Sequence, residues 1–115
     1  MVIQRINQNP RMSAALVHKG FAFLSGQVAD NTDLDPAGQA QQILDKIDAL
    51  LAQLGVDKRS ILSATIWLAD HKDFGDFNKV WDAWVPEGHT PARACVESPL
   101  AFPQYTVEIS VIAAV

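Results

Sequence analysis

The sequence predicts one α+β domain over residues 1–115, in which two helices cover one face of a mixed β-sheet. Its 115 residues are 49% hydrophobic and 19% charged, which is enough apolar material for one buried core. Segments with a period of two alternate with segments of helical spacing, in the order β-β-α-β-α-β-β. Because hairpins are mixed with helical crossovers, the sheet should contain both antiparallel and parallel strand pairs.

A β-hairpin is predicted near the start of the chain. Two apolar runs, 14–17 and 21–24, flank His18-Lys19-Gly20, and Gly20 supplies the positive φ that a tight turn needs. A further short strand at 3–6 is left open. Ser25-Gly26-Gln27 ends the second strand of the hairpin.

A long amphipathic helix is predicted after the hairpin. Asp35 can accept hydrogen bonds from the free N–H groups of the first turn, and Pro36 is tolerated at the first helical position. Gly55 ends the helix. Its apolar residues recur every three or four positions: Ala40, Ile43, Leu44, Ile47, Leu50, Leu51 and Leu54.

The second half of the chain predicts a strand, a helix and two more strands. Residues 61–69 alternate with a period of two and are expected to form a central strand. Asp73 begins the second helix and Gly88 follows its end. Strands are expected at 92–97 and 105–113. The aromatic residues of the second helix recur at helical spacing: Phe74, Phe77, Trp81 and Trp84.

The two faces of this sheet are both partly apolar, although helices are predicted for only one of them. Trp67 and Ile112 alternate with the apolar set and must lie on the opposite face. A second cover is therefore needed, which predicts a homo-oligomer that buries the bare face between subunits. The apolar set of the helix-covered face is Ala64, Ile66, Leu68, Val107, Ile109 and Val111.

Charge and composition exclude several classes of protein. Nine basic and thirteen acidic residues give a net charge of −4, and no run of Lys or Arg forms a surface for phosphates, so a nucleic-acid partner is not expected. No segment approaches the roughly 20 apolar residues of a membrane span, and the N-terminus lacks a signal-peptide core. The single cysteine requires no oxidising compartment. A cytoplasmic location is therefore expected, with no membrane partner.

Familiar catalytic and metal-binding patterns are absent. Cys95 is best interpreted as a small buried apolar residue, because no histidine is near it in sequence. No glycine-rich phosphate loop is present, and no cofactor or metal is predicted. The spacing of three loop aspartates does not match a calcium loop: Asp30, Asp33 and Asp35. The three histidines are predicted in turns or loops: His18, His71 and His89.

Arg93 is the residue that physical reasoning singles out. It lies inside a short strand between Ala92 and Ala94, where a permanent charge is costly unless a carboxylate or a subunit boundary receives it. On composition alone a structural salt bridge is favoured. A role in binding an anion stays open.

Several motifs resemble the Rid family, also called YjgF. The segment Thr90-Pro91-Ala92-Arg93-Ala94-Cys95-Val96 resembles the family signature, and residues 105–113 resemble its C-terminal strand. Ser25-Gly26-Gln27 and residues 73–78 are similar to the family pattern too. Within the family, the chain looks like the YoaB branch at two further places: Arg11-Met12-Ser13 and residues 80–85.

This resemblance implies a fold and an activity. Members have a chorismate-mutase-like α+β fold and form homotrimers, with small ligands bound in clefts between subunits. RidA-like members are enamine/imine deaminases that hydrolyse reactive 2-imino acids of the 2-aminoacrylate type to 2-oxo acids and ammonia. They need no metal or organic cofactor. The implied partners are thus a small carboxylate or imino acid and further copies of the chain.

The resemblance also assigns roles to individual residues. Arg93 matches the arginine that holds the substrate carboxylate through two parallel charge-assisted bonds. Ser25 and Gly26 match the backbone wall of the pocket. Cys95 matches a pocket position without being a nucleophile, and Asn78 matches a helix residue with a supporting role.

Two positions depart from the family pattern. Ser110 is matched to a glutamate that helps to place the attacking water, and a hydroxyl cannot act as a base near neutral pH. Glu108 is on the same face, but its Cα is about 6.6 Å from Ser110 along the strand, so direct substitution is not expected. Arg11 occupies the region of a family tyrosine. It can add a positive charge that suits a dicarboxylate, or it can cap a local turn, and both interpretations stay open.

Two other functions compete with deamination. The first is a non-catalytic module that binds small carboxylates such as 2-oxo acids. The second is an endoribonuclease or translation inhibitor, a description that some relatives carry. The acidic net charge and the lack of a basic patch disfavour this second alternative.

Overall fold

The computed structural model of residues 1–115 contains six strands and two α-helices. The strands are β1 Gln4–Gln8, β2 Ser13–His18, β3 Phe21–Leu24, β4 Ile61–Leu68, β5 Ala92–Glu97 and β6 Val107–Ala114. The helices are α1 Pro36–Gln53 and α2 Phe74–Trp84. The strands form one sheet in the order β1-β2-β3-β6-β4-β5. Only β4 and β5 pair in parallel, and α2 forms the crossover between them.

The predicted elements are confirmed, with small shifts at their ends. The first short strand spans Gln4–Gln8 rather than 3–6, and His18 is the last residue of β2 rather than part of a turn. The last strand begins at Val107, because the backbone N–H groups of the two residues before it donate hydrogen bonds outside the sheet. Tyr105 N–H donates to the Phe102 carbonyl, and Thr106 N–H donates to Oε1 of the buried Gln39.

The ends of α1 follow from single residues. Asp35 is the N-cap, and its Oδ1 accepts a hydrogen bond of 2.8 Å from the Gly38 N–H. Pro36 occupies the first turn. After the helix, Gly55 adopts φ +76°, a conformation that residues with a side chain rarely adopt. The apolar stripe of α1 is therefore held at a fixed position against the sheet.

The helices cover one face of the sheet and leave the other open. Ala64, Ile66 and Leu68 of β4 and their neighbours on β6 are buried in the core with α1 and α2. Phe23 is opposite Ile112 on the open face, and 43% of its surface is exposed. The sequence prediction of a second, partly apolar face without a helix is therefore confirmed. The open face comprises Leu16, Phe23, Ser63, Thr65, Trp67, Glu108, Ser110 and Ile112.

Neither helix combines the length and the hydropathy that a membrane span requires.

Candidate functional site

Arg93 lies on the edge strand β5 and is held by one face of α2. It is the register partner of the buried Ala64, so its side chain is on the helix-covered side of the sheet. Its Nη1 donates a hydrogen bond of 2.9 Å to Oδ1 of Asn78. The guanidinium carbon is 5.4 Å from the centre of the Trp81 ring and 5.9 Å from that of Phe74. These three α2 residues are spaced four and three positions apart, which places them on one helix face.

No acid neutralises Arg93 within the chain. The four ion pairs of the protein involve other basic residues, and the only hydrogen-bond partner of this guanidinium is a neutral amide. Aromatic rings favour a cation without cancelling its charge. A structural salt bridge, which composition favoured for Arg93, is therefore ruled out within the chain. Its positive charge is oriented and available to an anion.

Cys95 is two residues further along β5 and faces the same side. It is half-buried, packs against the core and is the register partner of Ile66. Burial raises the pKa of its thiol above the usual 9.0, although the nearby charge of Arg93 acts in the opposite direction. The thiol is thus protonated near neutral pH, which supports the prediction that it is not a nucleophile.

A second group of candidate residues gathers where β3 ends beside β6. The Ser25 hydroxyl donates a hydrogen bond of 2.6 Å to the Ser13 carbonyl. Gln27 and Ile109 exchange two backbone hydrogen bonds, of 2.8 and 3.1 Å, which fixes the segment against β6. Gly26 consequently lies against Glu108, and a methyl group at position 26 would overlap the Glu108 carboxylate.

The structure places the Glu108 carboxylate against Gly26, at the wall formed by Ser25 and Gly26. The expectation from the sequence considered only the distance between Ser110 and Glu108 along β6. In the structure, the segment after Ser25 and Gly26 pairs with β6 at Ile109, which is next to Glu108. The carboxylate against that wall belongs to Glu108. Ser110 is on the same face of β6, where it is the register partner of Thr65. Glu108 is therefore the carboxylate that lies against Gly26, and Ser110 is a hydroxyl two residues away on the same face of β6.

The two groups are on opposite faces of the sheet. Arg93, Asn78 and Cys95 are on the helix-covered side at the β5 edge, whereas Glu108 is opposite Trp67 on the open face. No cavity of the single chain lies beside Arg93. One chain cannot place the charge of Arg93 next to the Glu108 carboxylate. A site that uses both must take them from two copies.

Arg11 lies in the turn between β1 and β2, away from α2. It lines the one cavity of the chain, which has a volume of about 420 Å³ and is also lined by Ser25. Arg11 thus belongs with the wall formed by Ser25 and Gly26 rather than with Arg93. The resemblance implied a cleft between subunits, but it did not show which surface of the chain supplies each of these residues.

Two of the three loop aspartates have structural partners. Asp30 pairs with Lys46 at 2.9 Å, and Asp35 caps α1.

Sequence reasoning missed an exposed cluster in which one donor atom each from Asp70, His71 and Glu97 lies within 4.8 Å of the others. Glu97 Oε2 accepts from the His71 backbone N–H and is 2.8 Å from His71 Nδ1. These contacts raise the pKa of His71 and lower that of Glu97. The parallel pairing that ends β5 beside Leu68 brings them together.

The fold and the site define the class of protein as a single-domain α+β protein, with a mixed six-stranded sheet covered by two helices on one face and an unneutralised arginine on its edge strand. The family model for endoribonuclease L-PSP matches residues 2–115. The chain is 45% identical over 115 residues to the RutC family protein YoaB of Escherichia coli K12, with 100% of both chains covered.

Solved structures agree with this match. A YjgF-family protein from Neisseria meningitidis superposes with a TM-score of 0.94 at 45% identity, over 99% of this chain and 95% of that one. A protein from Pseudomonas aeruginosa gives a TM-score of 0.96 at 40% identity, over 98% of each chain. The chain belongs to the Rid family, also called YjgF or RutC, and is most similar to its YoaB-like branch.

Proposed function

We propose that this protein is an enamine/imine deaminase that hydrolyses reactive 2-imino acids of the 2-aminoacrylate type to 2-oxo acids and ammonia. The observation that supports this most strongly is the guanidinium of Arg93, which Asn78 orients and no acid neutralises. Such substrates arise from pyridoxal-phosphate enzymes, and the cytoplasmic location that the sequence predicts is part of this proposal.

Arg93 supplies the binding step. A planar guanidinium donates two parallel hydrogen bonds to a carboxylate, and a 2-imino acid carries its carboxylate next to the imine carbon. The bond from Nη1 to Asn78 fixes the plane of the fork, which in turn fixes where the imine carbon lies. No metal or organic cofactor is required for this step.

A second copy of the chain supplies the other wall. Because Arg93 and Glu108 are on opposite faces of one sheet, the complete site needs the β5 edge of one copy beside the open face of the next. The open face presents Trp67, Phe23 and Ile112, apolar residues that such contact would bury. A homotrimer, the assembly that the family resemblance implies, closes this arrangement with three equivalent sites.

Glu108 supplies the proton transfers. As a carboxylate it takes a proton from the attacking water, whose oxygen bonds to the imine carbon to give a carbinolamine. It returns this proton to the imine nitrogen, then takes the proton of the carbinolamine hydroxyl and delivers it to the amine, so the C–N bond breaks as the C=O bond forms, and ammonia and a 2-oxo acid remain. Ser110 is two residues away on the same face and can hydrogen-bond the water.

The test is a direct assay on freshly generated 2-iminobutanoate. Wild-type protein should accelerate the release of ammonia and 2-oxobutyrate over buffer. Arg93→Ala should abolish the acceleration, and the matched control Arg59→Gln should retain it, because Arg59 pairs only with Asp57 at 2.7 Å. No acceleration across a panel of imines would reject the activity. Calorimetric binding of 2-oxobutyrate without turnover would instead identify a carboxylate-binding module.

RNA cleavage, which the description of the family model names, has weaker support in this chain. The net charge is −4, and the basic residues do not form a continuous patch along the sequence. Cleavage that survives removal of contaminating nucleases and falls with salt would support it.

A further inference from the structure

The cavity beside Ser25 carries two positive charges and no negative one. Its volume is about 420 Å³, which is within the range of small-molecule sites, and it is formed around β1, β2 and the end of β3. Arg5 and Arg11 are its only charged lining residues. Because the protein has a net charge of −4, two arginines without an acidic neighbour make this cavity a local positive site that favours the binding of an anion.

Arg5 is placed by the register of the sheet. It is opposite Leu16, which is opposite Phe23, so the three residues follow each other across the open face. The two apolar residues line the cavity with Arg5. The Arg5 side chain has no hydrogen-bond or ion-pair partner in the chain, so its donors are available to a bound ligand.

The structure decides between the two interpretations of Arg11. Asn9 Oδ1 accepts hydrogen bonds from the backbone N–H groups of Arg11 and Met12, at 2.8 and 2.9 Å, and the Asn9 N–H donates to the Met12 carbonyl. Asn9 therefore closes the turn by itself. The Arg11 guanidinium takes no part in it and forms no ion pair. A turn-capping role for this side chain is excluded.

The cavity ends at Ser25, one residue before the glycine that contacts Glu108. Ser25 lines the cavity, and the next residue, Gly26, lies against the Glu108 carboxylate. A ligand whose anionic group is bound by Arg5 and Arg11 can extend past Ser25 towards Glu108. The two arginines are thus a candidate second anchor for the same ligand.

We propose that the preferred substrates are 2-imino dicarboxylates, in which a second carboxylate is held by Arg5 and Arg11. This inference rests on the proposed deaminase function. Arg93 of the neighbouring copy would hold the carboxylate beside the imine, and the cavity would hold the distal one. Water adds its oxygen to the imine carbon, the C–N bond breaks, and ammonia leaves with a 2-oxo dicarboxylate as the other product.

The kinetic test compares 2-iminoglutarate with 2-iminobutanoate. Wild-type protein should show a kcat/KM at least about tenfold higher for 2-iminoglutarate, as expected for one additional charge-assisted hydrogen bond. Arg11→Gln and Arg5→Gln should each lower this ratio about tenfold, and Arg11→Lys should restore part of it. The control Arg59→Gln should leave the ratio unchanged, because that residue is bound to Asp57. Equal kcat/KM values for the two imines would overturn the inference and leave the deaminase activity standing.

A binding measurement keeps the second anchor testable if no imine is hydrolysed. Calorimetry would compare 2-oxoglutarate with 2-oxobutyrate on wild-type protein, Arg5→Gln and Arg11→Gln. Tighter binding of 2-oxoglutarate that either substitution removes would support the second anchor even though the deaminase function had failed. Equal affinities for the two 2-oxo acids would overturn it.

Discussion

The Asn78 carboxamide accepts a 2.9 Å hydrogen bond from Arg93 Nη1, so α2 orients the guanidinium of the neighbouring edge strand without neutralising it. An aspartate at position 78 would have nearly the same shape and would cancel the charge. The choice of an amide therefore keeps Arg93 able to bind an anionic ligand, and this property is open to a direct test.

Asn78→Asp should weaken the binding of 2-oxobutyrate at least about tenfold, because a carboxylate beside Arg93 competes with that of the ligand. Asn78→Ala removes the orienting bond without adding a charge and should weaken binding less. Isothermal calorimetry gives both dissociation constants, and circular dichroism checks the fold. Wild-type affinity in Asn78→Asp would show that Arg93 does not bind the ligand carboxylate.

Glu108→Gln should lower kcat for imine hydrolysis by about 10² to 10⁴, the range for loss of one positioned acid–base group. Ser110→Ala removes only a hydroxyl on the same face and should lower kcat by less than about tenfold. Steady-state kinetics on both variants gives the comparison. The reverse ranking would restore Ser110 to the catalytic position that the sequence suggested.

Gly26→Ala should reduce activity by displacing the Glu108 carboxylate, which a methyl group at position 26 would overlap. The folded state should be only modestly affected, since the atom met first is the end of a flexible side chain. Gly75→Ala is the matched control, because its methyl group meets nothing within 4 Å. It lies in α2 and should raise the free energy of unfolding by up to about 1 kcal/mol. Full activity of Gly26→Ala would contradict the position assigned to Glu108.

Glu97→Gln should lower the pKa of His71 towards the ordinary 6.5, because the Glu97 carboxylate is the main cause of its increase. A raised histidine pKa stabilises the fold below pH 6.5 and loses that effect as pH rises through the folded-state value. The lowered pKa of Glu97 stabilises above pH 4.5 and loses its effect as pH falls through the folded-state value. The difference in melting temperature between wild type and variant should thus be largest between pH 4.5 and 6.5. NMR titration of His71 gives the pKa directly, and an unchanged value would refute the pairing.

The elements of the fold were predictable because local signals specify them. Asp35, Pro36 and Gly55 bound α1, and Gly20 with φ +83° turns the hairpin. Alternation along a strand also showed that both faces of the sheet carry apolar residues. These signals depend on neighbours in sequence, so a single chain without relatives is sufficient to read them.

The arrangement of the site was not predictable, because it depends on pairings between distant segments. The bridge between Gln27 and Ile109 places Gly26 beside Glu108, and no local pattern encodes it. Alternation within β5 cannot say whether Arg93 and Glu108 lie on the same face of the sheet, since the register with β4 decides that. The free guanidinium of Arg11 likewise follows from the hydrogen bonds of Asn9, which the sequence left open.

The central claim is that each site takes Arg93 from one copy and Glu108 from the next, and a mixing experiment tests it most directly. Arg93→Ala and Glu108→Gln are each expected to be inactive alone. The two variants are denatured together and refolded at equal amounts, so that trimers form at random. They should recover about one quarter of wild-type activity, because one interface in four combines an intact Arg93 with an intact Glu108. Native mass spectrometry would verify that mixed trimers form. Mixed trimers that stay inactive at every ratio would contradict the shared site.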